Sequence, residues 1–383
     1  MKKIKRLLVA NRGEIAIRVS RACNELGIRT IGIYSNEDRY SLHRFKMDET
    51  YLIGKNKDPV ETYLSIDEII ELALRKDIDA IHPGYGFLAE NAEFAEKCRE
   101  KGIIFIGPEP ETLKLFEDKL KSKKVAERCN VSMIPGSKKA LKDVNEAVSF
   151  AKMFGYPIML KASKGGGGRG LRIIKNREEL LSNFESAKRE AEKAFGNSDM
   201  FIEKRIKKPR HIEVQILADK YGDIVHLYER DCSIQRRHQK MIEMTPARNI
   251  PENVLQNLYK DAIKIAKASN YVNAGTFEFL MDENFNYYFL EVNPRIQVEH
   301  TVTERLTGID IVHCQIHIAE GERLNGENIN LKQENIKKRG YALQCRITTE
   351  DPENNFMPDT GVLEVYRSPA GFGVRLDAGS AYT

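Results

Sequence analysis

The chain has 383 residues, of which 41% are hydrophobic and 31% charged, and a formal charge of +5. That length holds two or three domains with ordinary cores, and so small a positive excess, spread along the chain, suits a basic pocket better than a nucleic-acid surface. No apolar run approaches the roughly 20 residues that cross a bilayer, and Cys23, Cys98, Cys129, Cys232, Cys314 and Cys345 form neither a C-x-x-C pair nor a zinc spacing, so a cytoplasmic protein with free thiols and no nucleic-acid or membrane partner is expected.

From the N-terminus, strand and helix patterns alternate. Ile4–Ala10, Ile28–Tyr34, Ile78–His82 and Ile103–Ile106 read as strands, with helices from Gly13 to Gly27, Ile66 to Leu74 and Ala92 to Lys101, which predicts a parallel α/β unit over residues 1–118. The loop NRGEIAIR has one glycine where a dinucleotide fingerprint needs three, which excludes NAD. The loop His82-Pro83-Gly84-Tyr85-Gly86-Phe87-Leu88 follows a strand and precedes a helix, a position shared by ligand crevices and plain turns.

A long helix is expected over Glu111–Cys129, then a linker at Val131–Gly136 and a helix at Val144–Phe154. The strand Pro157–Ala162 runs into Lys164-Gly165-Gly166-Gly167-Gly168-Arg169-Gly170 and back out as Leu171–Ile174. Glycines that lead into a second strand instead of a helix are not a P-loop. Four in succession let backbone N–H groups approach phosphate oxygens, and Lys161 supplies a point charge, so the tract reads as a movable phosphate lid; a bare hinge has the same composition.

Three more strands are expected over residues 199–231, the middle one, His211–Leu217, placing His211, Glu213 and Gln215 on one face. The segment Glu229–Lys240 is dense in both charge signs and fits either a solvated loop or a small-anion site centred on Lys240. A helix over Glu252–Ala268 leads to two aromatic-rich runs around Asp282-Glu283-Asn284, the pattern of a β-hairpin. With the loop near Glu283–Asn286, Glu278 faces Glu291, and Tyr287, Phe289, Glu291 and Asn293 share one face. Opposed carboxylates repel unless a cation separates them. The oxygen donors Glu278, Glu291 and Asn293 suit Mg²⁺ or Mn²⁺ presented to ATP, whereas a slip of one register would leave an ordinary solvated hairpin. Odd numbering carries Arg295, Gln297 and Glu299 into the same space. After a helix at Ile309–Ala319, Gly340–Thr349, Gly361–Tyr366 and Gly373–Leu376 read as strands too few to close a sheet of their own, so they dock on the preceding domain or the natural protein continues.

Taken together, ANRGEIAIR, HPGYGFLAEN, KASKGGGGRG, ERDCSIQRRHQK, GTFEFL, EVNPRIQVEHTVTE and QCRITTEDP resemble the biotin carboxylases of the ATP-grasp family along essentially the whole chain. HLYERDCSIQRRHQK, SLHRFKMDETYLIG, AEGERL and TTEDPENNFMPDTG look like the versions found in pyruvate carboxylases. The resemblance implies a mixed α/β and α+β fold: a parallel α/β (pre-ATP-grasp) domain over 1–118, an ATP-grasp domain with a glycine lid over 119–335, and part of a β-rich C-terminal domain over 336–383. It implies ATP on Lys119, Lys161, Gly167, Gly168, Glu203, Lys204, Arg205, Ile206, His211, Gln235 and His238. It also implies metal on Glu278, Glu291 and Asn293, bicarbonate on Lys240, Arg295, Gln297 and Val298, Glu299 as base, and Arg346 holding biotin. Lys164, Glu117 and Leu171 depart from the family pattern around the lid. The implied reaction is ATP- and bicarbonate-dependent carboxylation of biotin through carboxyphosphate, with a biotin carboxyl carrier domain, a carboxyltransferase and a second copy of the chain as partners. The acetyl-CoA carboxylase subunit shares every one of these positions. A different ATP-grasp ligase, and a nucleotide-binding regulatory module that turns nothing over, are the alternatives from further away.

Overall fold

The computed structural model describes residues 3–137, 139–163 and 171–379, so the lid residues Lys164 to Gly170, Gly167 and Gly168 among them, lie outside the described residues. The chain divides into two compact units, one drawn from Met1–Pro110, Asp310–Asn330 and Cys345–Thr383, the other from Glu111–Ile309 and Leu331–Gln344.

In the first unit β1 (Arg6–Val9), β2 (Arg29–Tyr34), β3 (Glu49–Leu52), β4 (Ala80–His82) and β5 (Ile104–Phe105) form a parallel sheet in the order β3-β2-β1-β4-β5. Leu7, Leu8 and Val9 are all fully buried, the continuous apolar run of a strand covered on both faces. The connecting helices are α1 (Gly13–Glu25), α2 (Pro59–Tyr63), α3 (Ile66–Arg75) and α4 (Ala92–Glu100). At the carboxyl ends of the adjacent strands β1 and β4, Asn11 donates to the carbonyls of Pro83 and Tyr85 at 2.7 and 2.8 Å. Gly84 there has φ +64°, and a Cβ on it would meet the Asn11 amide at 2.8 Å, so only glycine fits.

The second unit begins with two helices. The helix expected over Glu111–Cys129 is two, α5 (Pro110–Glu117) and α6 (Lys119–Arg128). Asp118 separates them: it is extended (φ −93°, ψ 107°) and its carboxylate accepts from the amides of Leu120 and Lys121. A short acidic side chain that can hydrogen-bond the backbone ahead of it starts a helix more readily than it continues one. Next come α7 (Val144–Phe154), β6 (Ile158–Ala162), β7 (Leu171–Ile174), α8 (Arg177–Phe195) and β8 (Met200–Lys204), with an antiparallel sheet in the order β7-β6-β8. No element was assigned to α8 from the sequence; its Leu180, Phe184, Ala187 and Ala191 recur at helical spacing and fill this sheet's core.

A six-stranded sheet follows, built from β9 (Arg210–Ala218), β10 (Ile224–Arg236), β11 (Gln239–Thr245), β12 (Asn273–Met281), β13 (Tyr287–Asn293) and β14 (Ala342–Cys345) in the order β13-β12-β9-β10-β11-β14. One face packs on α9 (Glu252–Ala268) through Ile212, Val214, Ile216, Leu258, Ala262 and Phe277. The charge-dense segment 229–240 is therefore no loop. It is the second half of β10 and the start of β11, joined by a turn at Arg237 and His238, whose φ values of 50° and 65° give the twist a two-residue hairpin needs. Helices α10 (His300–Thr307) and α11 (Ile311–Glu320) close the unit pattern, α11 belonging to the first unit. At the C-terminal end the expected strands shrink to β14, β15 (Glu350–Asp351) and β16 (Met357–Pro358). Gly361–Tyr366 and Gly373–Leu376 are not strands, and Val362 and Val365 stand 91% and 66% exposed, because strand propensity without a hydrogen-bonding neighbour does not make a strand.

Replacing Asp118 with alanine removes the cap of α6, and we expect the urea unfolding free energy to fall by about 1 kcal/mol. An unchanged midpoint would show that the helix break does not depend on the cap.

Candidate functional site

The β12–β13 hairpin sets the geometry. Near its turn Phe279 pairs with Phe289 and Leu280 with Tyr288, but beyond it Glu278 pairs with Glu291 and Thr276 with Asn293. Leu290 is thus one extra residue, a bulge. Its effect is to turn the strand over. Phe289 joins Phe279 in the core, while Glu291 and Asn293 face the same side as Glu278. The expected opposition of the two glutamates is observed, whereas the expectation that Tyr287 and Phe289 share their face is corrected by the bulge.

On that face a single ammonium holds three carboxylates. Lys240 Nζ lies 2.5 Å from Glu213, 2.8 Å from Glu278 and 2.7 Å from Glu299, all three side chains being at most 4% exposed. Burial opposes the Lys240 charge, but the three carboxylates outweigh it and hold the amine protonated far above its ordinary range. Burial likewise works against the Glu278 carboxylate, and Lys240 with His211 overcomes it, leaving Glu278 ionised well below 4.5. His211 Nε2 sits 2.7 Å from the second Glu278 oxygen; burial pulls its pKa down, the Glu278 charge pushes it up, and the net direction is up. Gln235 turns its amide nitrogen to His211 Nδ1 at 3.1 Å. Cys232 lies beside Glu213 and Glu299, and burial together with the Glu213 charge raises its pKa, which favours the thiol form.

Beneath the cluster Arg230 is fully buried. It donates to Glu213, Gln215, Thr303, Thr276 and Gln297. Asn293 and Gln297 each turn an amide nitrogen to Glu278 Oε1, at 2.9 and 3.1 Å, and Arg295 donates to the Asn293 oxygen at 3.1 Å.

A second charged centre lies on the three-stranded sheet. Glu203, 1% exposed, takes Lys161 from β6 and Lys123 from α6. Burial raises a carboxyl's pKa, yet the two ammonium groups bring Glu203 down to about 2. Burial pulls Lys123 down, and its amine also stands 4.2 Å over the Phe201 ring. From Glu203 the chain leaves β8 through exposed Lys204 and Arg205 to half-buried Ile206. Gly136 bridges to Glu203 so closely that a Cβ would collide with the Ile202 carbonyl.

The fold thus brings together His211, Gln235, Lys240, Glu278, Asn293, Arg295, Gln297 and Glu299 at one centre, and Lys161 with Glu203 at the other. Lys119 reaches Glu291 at 3.5 Å, Val298 is half-buried in the turn before α10, and His238 is exposed at the hairpin tip. Arg346 is half-buried and belongs to the first unit. Sequence reasoning did not single out Arg230, Lys123 or Glu213 as site residues. Glu213 alternates with His211 on β9 and was visible in that pattern; Arg230 and Lys123 carried no local signal.

The donors at Glu278 and Glu291 are carboxylate oxygens that face each other across paired strands, the chemistry of a hard divalent cation. Glu278 is meanwhile satisfied by positive and N–H groups, which shows what that position demands. The Asn293 oxygen points to Arg295, so its service to a metal requires the amide to turn over.

A six-stranded sheet, antiparallel through β13-β12-β9-β10-β11 and with a buried carboxylate and ammonium face, preceded by a smaller antiparallel sheet with the glycine tract between β6 and β7, is the ATP-grasp fold. Residues 3–113 match the model of the biotin carboxylase N-terminal domain, 118–327 that of the carbamoyl-phosphate synthase L chain ATP-binding domain, and 344–382 that of the biotin carboxylase C-terminal domain. Pyruvate carboxylase of Bacillus subtilis is 52% identical over 99% of this chain. Among solved structures, the biotin carboxylase domain dimer of Hydrogenobacter thermophilus 2-oxoglutarate carboxylase, with MgADP, ADP and bicarbonate, is 51% identical with a TM-score of 0.95, covering 100% of this chain and 83% of that one. Biotin carboxylase of Campylobacter jejuni, in its beta-gamma-ATP complex, is 46% identical with a TM-score of 0.95, covering 99% of this chain and 83% of that one. The chain belongs to the biotin carboxylase family. It spans about a third (33%) of the length of the B. subtilis pyruvate carboxylase. Among the described residues no helix is long and apolar enough to cross a membrane.

Glu203 contributes stability that is present above its ordinary pKa of 4.5 and is lost as pH falls toward about 2. Glu203→Gln leaves two buried ammonium groups facing a neutral amide, so unfolding measured at pH 7 should cost about 3–5 kcal/mol less. The acid limb of the stability curve between pH 4.5 and 2 should also flatten.

Proposed function

We propose that this chain carboxylates biotin with ATP and bicarbonate, as the biotin carboxylase part of a pyruvate carboxylase. The observation that carries the reading is the Lys240 ammonium shared among Glu213, Glu278 and Glu299. An anion drawn to Lys240 arrives beside Glu299, which is 2.7 Å from the same amine. Bicarbonate is a poor nucleophile until it loses its proton, and Glu299 takes that proton as the oxygen attacks the γ-phosphorus. Carboxyphosphate and ADP result, the terminal P–O bond of ATP breaking as the new one forms. Carboxyphosphate then splits to CO₂ and phosphate, and the ureido nitrogen of biotin attacks the CO₂ while its proton passes to phosphate.

The remaining residues act on binding. Lys119, Lys161 and His211 offer positive or donor groups to the phosphates, residues 203 to 206 line the base, and Gln235 orients His211. Arg295, Gln297 and Val298 complete the bicarbonate site. Glu278, Glu291 and Asn293 would hold Mg²⁺ or Mn²⁺, which supplies charge neutralisation for the transferred phosphoryl group. Arg346 is assigned to the biotin ureido oxygen. The domain limits proposed are 1–118, 119–335 and 336–383. A biotin carrier domain, a carboxyltransferase and a second copy of the chain are the proposed partners, and the cytoplasm the proposed location.

One alternative has a specific observation behind it. The H. thermophilus structure belongs to a 2-oxoglutarate carboxylase at 51% identity, which favours a 2-oxo acid as the final acceptor without fixing it as pyruvate.

Glu299→Gln should retain nucleotide binding and lose bicarbonate-dependent ADP release by about 10²-fold or more, the usual reach of a general base. Turnover equal to the parent's would remove Glu299 from that role. ADP release indifferent to bicarbonate and to free biotin in the parent would sink the activity itself.

A further inference from the structure

Resting on the reading that Lys240 and Gln297 hold bicarbonate, we propose that Arg230 is a positioning residue that fixes which atoms of Gln297 and Glu213 the anion site presents.

Arg230 comes from β10, is fully buried, and spends all five of its N–H groups. Nε donates to Glu213 Oε1, one terminal nitrogen to Gln215 at 2.8 Å and Thr303 at 2.9 Å, the other to Thr276 at 3.0 Å and Gln297 at 3.2 Å. A guanidinium can only donate. Gln297 must therefore give it Oε1, and its nitrogen is left to face Glu278, where it donates at 3.1 Å. Gln215 is sorted in the same manner, its nitrogen going to the carbonyls of Ile216 and Gly275.

Glu213 is divided as well. One oxygen goes to Arg230 and the other keeps Lys240 at 2.5 Å. The guanidinium thus decides for two neighbours of Lys240 how their polar ends are shared out. Freed from it, the Gln297 amide would no longer be held with its oxygen away from the carboxylate face, and an inward oxygen repels an anion. Glu213 would have both oxygens available to Lys240, tightening its hold on the amine that the anion needs. A lysine at 230 keeps the charge but has three donors on a point, and cannot span acceptors on β9, β12, α10 and the loop at Gln297. With no N–H to spare, Arg230 itself does not touch substrate.

The test compares Arg230→Lys and Thr303→Val with the parent in the full-length protein, by bicarbonate kinetics of ADP release, nucleotide affinity by calorimetry, and thermal unfolding. Arg230→Lys should raise KM for bicarbonate by about tenfold or more, the equivalent of one lost charge-assisted hydrogen bond, with nucleotide affinity within about twofold. Thr303→Val, which leaves the guanidinium its other bonds, should raise that KM by roughly threefold with kcat nearly unchanged. A lowered melting temperature with the bicarbonate KM at the parent's value in both variants would make Arg230 purely structural and overturn the proposal. Should Arg230→Lys not fold, the KM of Thr303→Val decides alone. A parent protein whose ADP release ignores bicarbonate would overturn the activity, and this proposal with it, and is told apart by needing no variant.

Discussion

Three carboxylates cannot share a dry pocket by themselves. Glu213, Glu278 and Glu299 are each nearly sealed from water, and at such separations their mutual repulsion in a medium of low polarity exceeds what packing returns. Lys240 makes the arrangement tenable by touching all three, and Arg230 carries the second positive charge from below. The ammonium's own burial cost is met by the carboxylates it neutralises, so neither partner is stable in place without the other. This reciprocal dependence ties together β9, β10, β11, β12 and the start of α10, each of which supplies one of the charges.

The second centre follows the same logic with the signs exchanged. One buried carboxylate, Glu203, holds two ammonium groups, Lys123 from α6 and Lys161 from β6. An excess of positive charge there and of negative charge around Lys240 divides the face chemically. The first suits phosphate, and the second suits a divalent cation and a proton acceptor. The two centres lie on different sheets, Glu203 on β8 of the three-stranded sheet and Lys240 on β11 of the six-stranded one.

Much of this was legible beforehand. The parallel unit, the hairpin around Asp282, the strands β6 and β7 and the opposition of Glu278 to Glu291 follow from local periodicity and turn chemistry, and the motif resemblance supplied the roles proposed. Other features lay beyond local reading. Asp118 sits between two helical stretches that a periodicity count joins. Helix α8 (Arg177–Phe195) was not assigned, although its apolar positions recur at helical spacing. The segment 229–240 carried too many charges to be taken for a strand, because its inward partners belong to β9, β12 and α10.

The sequence by itself determined which residue types are present in what spacing, and hence the class of chemistry: oxygen donors for a hard cation, amines for phosphates, a carboxylate for a proton. Only the tertiary structure decided how they meet. Leu290 is the clearest instance, since one unpaired residue turns Phe289 inward to the core and Glu291 outward to Glu278, and a bulge is specified by which neighbour the strand pairs with. Arg230 is the other, silent in the sequence because its five acceptors come from positions 213 to 303. Hydrogen bonding across that separation is a property of the folded chain, to which no window of neighbouring residues gives access.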